Sequence, residues 1–358
     1  MLFRSLQFLV GGMSITAIGR KSVKKVSEIM ERSFGADVIY GDTDSNYVRF
    51  LRSLSPEELY TFCAMVSDEV SAHFPKPMRL EFEGKIYEKY FLFTKKRYIY
   101  KLIGKDDLVV SGVLLKRRDS APIVKRIYGD LVNCCLEKMP ESELFRIFFQ
   151  HINALLAGFS PPSDFAIGSS VKTIDKFPIR PKSDKKVYCG CYTVPILSEE
   201  PKKRAEQFKK KGVQTEQDFY LKSLPNVVQL ALKMRARGQS VQNGERISFI
   251  YTKGHAKALS VDKMEDLEYF EQFCKNDMID TSEYMRLLCE TPLNELFSVY
   301  LQKDMSNFFT KIWKVGLARN NLNDEYKRRL LAYEVIFSPA PEACKKREGI
   351  EKYFNKKN

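Results

Sequence analysis

Two carboxylates, Asp42 and Asp44, lie two residues apart in Val38-Ile39-Tyr40-Gly41-Asp42-Thr43-Asp44-Ser45-Asn46-Tyr47-Val48. β-prone residues run into and out of a Gly-Asp turn, the signature of a hairpin, with Gly41, Thr43 and Ser45 read as the residues that shape the turn. Along extended backbone, side chains at i and i+2 project to the same side, so the two carboxylates are expected to converge on one spot. Converging anions repel unless a cation sits between them, and hard oxygen donors suit Mg²⁺. A magnesium site on paired strands fits phosphoryl or nucleotidyl transfer, in which metal ions neutralise charge on attacking and leaving oxygens. Taken alone, such a turn is most often just a solvated β-turn. A calcium loop also starts D-x-D-x-N, but it then needs Gly where Tyr47 stands and Glu where Ser53 stands, so that reading fails.

Composition narrows the partner. The 358 residues hold 59 Lys and Arg against 45 Asp and Glu, a net charge of +14, and are 44% hydrophobic. That is ample for two or three folded domains, and the charge points to a polyanion, nucleic acid before membrane. The 8 cysteines contain no C-x-x-C pair and read as reduced thiols of an intracellular protein. Cys189-Gly190-Cys191 is at most half a metal site, with no second Cys or His pair nearby. No apolar run reaches the ~18 residues of a membrane span. The first 27 residues carry Arg and Lys but no acid, which imitates a transit peptide.

The elements that must position the hairpin follow from periodicity. Residues 5–34 predict a helix, with Ile15, Ile18, Val23, Val26, Ile29, Met30 and Phe34 at three- and four-residue spacing. Ser55 to about Phe74 predicts a second helix, with Ser55 as cap, Pro56, Glu57 and Glu58 in its first turn, and Pro75 and Pro77 beyond it. Met78 to Val110 alternates apolar and polar residues and predicts strands at Leu80–Glu83, Tyr87–Phe93, Tyr98–Leu102 and Leu108–Val110. From Ile123 the pattern turns helical. Residues 161–225, rich in Pro and Lys, read as a flexible basic connection with one or two short helices, following backbone phosphates. A helix from about Pro225 to Gly238 and a strand at Gly244–Tyr251 come next, and the single Trp313 is expected in core.

Two basic motifs flank these elements. Lys95-Lys96-Arg97-Tyr98 by itself is a solvated edge segment or a cation cluster beside an aromatic ring, suited to phosphates and groove acceptors. Lys116-Arg117-Arg118-Asp119 is a basic strand end in which Asp119 orients one arginine.

Taken in order, these motifs resemble the family B DNA polymerases. Tyr40-Gly41-Asp42-Thr43-Asp44-Ser45 resembles the third polymerase motif, in the palm, and Lys95-Lys96-Arg97-Tyr98 matches the K-K-R-Y motif that follows it. Ser14-Ile15-Thr16-Ala17-Ile18-Gly19-Arg20 resembles the S-[IV]-T-x-x-G-R segment of the helix after the second motif, so the acid-free N-terminus reads as palm interior and not as a targeting peptide. Gly112 through Pro122 resembles the G-x-x-x-x-R-R-D-x-[AC]-P junction of palm and thumb. Leu230 to Gly238 with Gly244 to Ile250 resembles the thumb pattern L-A-x-x-M-x-x-R-G then G-x-R-[IV]-x-[YF]-[IV]. Ile279-Asp280 to Tyr284, followed by Thr291-Pro292-Leu293, is similar to the next thumb element, with Thr291 replacing the usual Asn of its turn.

The resemblance implies an α+β fold: an antiparallel palm sheet with the catalytic hairpin and packing helices over 1–122, then a mainly helical thumb over 123–340, the basic connection at about 161–225, and a basic tail over 341–358. It implies template-directed addition of deoxynucleoside triphosphates to a primer 3′ end. Asp44 would bind both Mg²⁺ ions, with Asp42 a weaker or outer ligand. Lys95, Lys96 and Arg97 would grip primer–template DNA, Tyr98 would hold the primer end, and Lys116, Arg117, Arg118 and Arg246 would add DNA contacts. Neither the first motif nor the K-x-x-x-N-S-x-Y-G of the second occurs, so an upstream polymerase half is expected to complete the two-metal site. The absence of paired cysteine motifs favours a viral or phage-like member, working in a nucleus or at a cytoplasmic replication site. Ile350, Tyr353 and Phe354 resemble a sliding-clamp peptide, though Arg347 stands in place of its Gln, and the plainer reading is that the aromatic pair caps the last helix. The alternative from another class is a non-catalytic DNA-binding module, or a decayed polymerase remnant.

Overall fold

The apolar spacing of the N-terminal stretch closes into helix α1 (Leu9–Phe34) in a computed structural model that describes residues 9–158, 160–172, 179–183, 185–189, 191–254 and 260–319. Only the second half of α1 enters a core: Val26, Met30 and Phe34 are buried with Ala36, Val66 and Val70. Ile15 and Ile18, expected on that same stripe, stay exposed beside Val10 and Met13. Strands β1 (Ala36–Asp42) and β2 (Ser45–Phe50) form the expected hairpin, in register from Ala36 opposite Phe50 to Asp42 opposite Ser45. Helix α2 (Pro56–Ser71) starts at a capping box, in which the Glu58 amide donates to Ser55 Oγ and the Ser55 amide to Glu58 Oε2.

Leu80–Glu83, expected as a strand, is irregular. The Leu80 amide donates to Ser71 Oγ and its carbonyl accepts from Ser67 Oγ, so α2 serines satisfy the backbone groups that a ladder would have used. Strands β3 (Tyr87–Thr94), β4 (Arg97–Leu102) and β5 (Leu108–Ser111) form an antiparallel meander in that order. Lys95 and Lys96 are the two turn residues between β3 and β4, so the basic motif caps a second hairpin instead of lying along a strand.

The chain divides into two compact units, Met1–Val113 and Leu114–Asn358, and the elements so far belong to the first. The second is mainly helical. Helices α3 (Pro122–Leu136) and α4 (Glu141–Ala157) place Leu131, Leu144, Phe148 and Ile152 in the core. Strand β6 (Ile167–Ser170) is followed by a meander of β7 (Ile179–Ser183), β8 (Lys186–Cys189) and β9 (Tyr192–Pro195). Helices α5 (Pro201–Lys211), α6 (Glu216–Leu221) and α7 (Asn226–Ala236) come next. The two short helices of the basic stretch were expected; the strands were not. Runs of four or five residues interrupted by Pro181 and lysines are too short to show a two-residue period.

Strand β10 (Arg246–Tyr251) lies between β6 and β11 (Met264–Asp266), pairing Arg246 with Ser170 and Phe249 with Asp266. Helix α8 (Leu267–Phe273) precedes α9 (Thr281–Leu288), whose N-terminus is capped by the Asp280 carboxylate accepting from the Glu283 amide. The expected turn at Thr291-Pro292-Leu293 is instead a π-helical turn, Cys289–Leu293, running into α10 (Asn294–Leu301). Pro292 has no amide hydrogen, and the wider winding carries the helix past the missing bond. Helix α11 (Ser306–Arg319) brings Phe309 against Phe148 and Phe297, with ring centroids 5.6 and 5.3 Å apart, and carries a half-buried Trp313. The architecture is α+β, and among the described residues no helix is long and apolar enough to cross a membrane. The described cysteines are free thiols; Cys189 is buried and Cys191 exposed.

Candidate active site

The first hairpin places its two acids differently. Asp42 is the last residue of β1 and Asp44 belongs to the two-residue turn. Thr43 between them has φ +55°, in the left-handed region, and the Asp44 amide donates to the Asp42 carbonyl at 2.6 Å. The strand rule that puts i and i+2 on one side therefore stops at Asp42 and does not extend to Asp44. Ser45 Oγ donates to the Asp42 carbonyl and Thr43 Oγ1 to the Asp42 carboxylate, so both hydroxyls shape the tip. Gly41 is fitted closely: a Cβ there would lie 3.3 Å from Asn46 Oδ1.

The second hairpin reaches the first at its tip. Lys96, at φ +64°, donates its amide to Tyr40 Oη at 2.8 Å, and its ammonium lies 3.5 Å from Asp42 Oδ2. Behind the contact stand six tyrosines, Tyr40, Tyr47, Tyr87, Tyr90, Tyr98 and Tyr100, with neighbouring rings between 4.9 and 6.2 Å apart. Tyr47 Oη donates to Tyr98 Oη at 3.4 Å. Burial pushes the Tyr87 phenol up to about 12 and raises Tyr47 and Tyr90 further, so these rings are neutral spacers between the two ladders. Gly112, just beyond β5, makes room for the turn, and its carbonyl accepts from Arg97 Nε at 3.2 Å.

The donor set suits a hard cation. Two carboxylates are what Mg²⁺ commonly takes from a protein, with water and phosphate oxygens completing its shell. Among the described residues no group of three or more acids, cysteines or histidines gathers around one point.

In the second unit, Lys116 ends a 3₁₀ turn, Leu114–Lys116. Arg117 grips Asp119 with two hydrogen bonds of 3.0 and 2.8 Å, which hold the Asp119 carboxyl below its ordinary range, as the sequence led one to expect of one arginine. The Arg118 carbonyl accepts from Arg246 Nη2 at 2.7 Å, and the same nitrogen donates to the Gly168 carbonyl at 2.6 Å. Arg246 thus braces the basic turn. Ile350, Tyr353 and Phe354 lie outside the described residues.

The profile of DNA polymerase family B matches residues 9–299. The chain belongs to that family. DNA polymerase 120R of Invertebrate iridescent virus 3 is 31% identical over 339 residues, covering 89% of this chain and 29% of the relative. The DNA polymerase of Red sea bream iridovirus is 32% identical over 260 residues, covering 69% and 26%. The DNA polymerase delta catalytic subunit of Bos taurus is 37% identical over 139 residues, covering 35% and 12%. The chain spans less than a third of the length of these family B relatives.

Sequence reasoning missed three contributors. Tyr40 reads as part of the hairpin string, yet its phenol holds a backbone group that is 56 residues away. Gly112 reads as a motif letter, and no motif singles out Gly168, which would crowd Arg246 Nε at 3.1 Å if it bore a Cβ. Glycines at unexplained positions were the available signal, since close approach to another backbone or side chain is one of the few things that demands them.

Proposed function

We propose that this chain supplies the later part of the palm, to about residue 122, and the thumb beyond it, in a polymerase that adds deoxynucleotides to a primer 3′ end on template DNA. The observation that carries this reading is the meeting of two hairpin tips, Asp42 against Lys96, in a chain of DNA polymerase family B. Asp44 would hold Mg²⁺, with Asp42 beside it as a weaker or outer ligand. When bound, the metal ions neutralise charge on the attacking hydroxyl and the triphosphate. Lys95, Lys96 and Arg97 contact primer–template phosphates and groove acceptors, with Tyr98 against the primer end. In the other unit Lys116, Arg117 and Arg118 add phosphate contacts, and Asp119 and Arg246 fix that turn.

Motifs carried by an upstream polymerase segment complete the metal and triphosphate sites, so this chain by itself binds duplex DNA without extending it. A sliding clamp is a further partner, through Ile350, Tyr353 and Phe354. The test is primer extension with Mg²⁺, using the chain alone and then mixed with the upstream segment. Extension in the mixture alone, abolished by Asp44→Ala, is the expected result. Extension by the chain alone overturns this account, and none in either case, with duplex binding intact, favours a non-catalytic DNA-binding module.

A further inference from the structure

Asp42 is the more enclosed of the two hairpin acids, its side chain 19% exposed, and the cation facing it belongs to a lysine whose side chain stays 65% exposed. The pairing is not one of convenience between mobile side chains. Lys96 occupies the left-handed region at the tip of a two-residue turn, a conformation that costs a non-glycine residue about 1 kcal/mol or more. Its amide is tied to the Tyr40 phenol, and Tyr40 lies on the same strand as Asp42, two residues before it. A carboxylate that is to take a divalent cation is thus already covered by a monovalent one delivered from another strand pair.

We propose that Lys96 is the resident counter-ion of Asp42, that Tyr40 is the residue that positions it, and that a divalent cation and the Lys96 ammonium exchange at this carboxylate. The idea rests on the metal reading of the hairpin given above. With no metal, Lys96 neutralises Asp42 and keeps the two tips in register. When a divalent cation arrives, it takes over the Asp42 charge, and the ammonium is released to a phosphate or a groove acceptor. No covalent bond is made or broken, and the net change is that one cation replaces another as the charge that neutralises Asp42. The exposure of Lys96 makes the contact weak enough to yield, since exposed ion pairs are easily screened.

The deciding feature is the sign of the effect. If Lys96 merely supported the fold of the site, removing its charge would weaken metal binding. If it competes for Asp42, removing its charge tightens binding. The experiment is binding of Mn²⁺, as a stand-in for Mg²⁺, to the 358-residue chain, read from the electron paramagnetic resonance signal of the free ion. Lys96→Met keeps a non-glycine residue at the strained turn and so adds no new backbone cost. It should tighten Mn²⁺ binding about threefold or more, the factor an exposed ion pair carries. Lys96→Arg should stay near wild type. Tyr40→Phe removes the acceptor for the Lys96 amide and should shift affinity in the same direction as Lys96→Met, and combining the two should add nothing further. Unchanged or weaker binding in Lys96→Met, with wild-type binding that vanishes in Asp42→Asn, overturns the exchange while leaving the metal reading in place. Wild-type Mn²⁺ binding indifferent to both Asp42→Asn and Asp44→Asn overturns the metal reading and the exchange together.

Discussion

A Cβ atom on Gly112 would overlap the carbonyl oxygen of Lys96 and press on the Arg97 side chain. Gly112 also has φ +63°, so two separate penalties meet at one residue. Gly112→Ala should cost about 2–3 kcal/mol. Gly84, in the same unit at φ +65°, would have nothing within 4 Å of an added Cβ, so Gly84→Ala should carry the conformational penalty alone, about 1 kcal/mol. Urea unfolding of the two variants side by side checks this, and equal losses would show that the approach of Gly112 to Lys96 is not tight.

Glu265 is buried and receives hydrogen bonds from Arg237, at 2.7 and 3.0 Å, and from Lys233, at 2.7 Å. Burial opposes its ionisation, but the hydrogen bonds from Arg237 and Lys233 outweigh it and hold the carboxyl below the usual range. A depressed folded pKa contributes stability above the unfolded value, about 4.3, and that stability is lost as pH falls through the folded value. Glu265→Gln should therefore cost roughly 1–3 kcal/mol at pH 7. The gap from wild type should close toward pH 3 and below. A gap independent of pH would mean that the charge on Glu265 is not what these cations hold.

Tyr284 is fully buried, accepts from the Tyr251 amide at 2.9 Å and donates to the Phe165 carbonyl at 2.7 Å. Tyr284→Phe strands both backbone groups and should cost about 1–3 kcal/mol. Calorimetry would check it, and a loss below about 0.5 kcal/mol would mean that water replaces the phenol.

Phosphate contacts leave a mark on salt dependence. Lys95→Ala and Lys116→Ala should each lower the slope of log affinity for duplex DNA against log salt by about 0.9, with little change between DNA sequences. Fluorescence anisotropy over a range of NaCl concentrations measures it. A variant that weakens binding by the same factor at every salt concentration acts through the fold, not through phosphate.

Local signals in the sequence carried far, and long-range ones did not. The Gly-Asp tip and the Ser55 cap with Glu58 each depend on residues within a few positions, and each is found where the spacing put it. The β7–β9 meander escaped because its strands are short and lysine-rich. Leu80 looked like a strand because serine side chains can satisfy a backbone as well as a ladder can. The encounter of Asp42 with Lys96 was unreadable for a plainer reason: each motif was legible, but no periodicity says which of two tips faces the other. The strand rule used to place Asp42 and Asp44 on one side ends at one backbone angle, that of Thr43.

The pairing of strands also sets a timetable. Among the described residues, each ladder of the first unit joins strands that follow one another in the chain, closed by turns or short connections. Closing small loops loses little chain entropy, so these ladders are expected to form early in folding. The central ladder of the second unit is different, because Ser170 must find Arg246 across β7 to β9 and three helices. The carboxylate hairpin and the lysine hairpin should therefore each close at a lower entropic cost than the β6–β10 ladder, while the contact between their two tips is itself a long-range one.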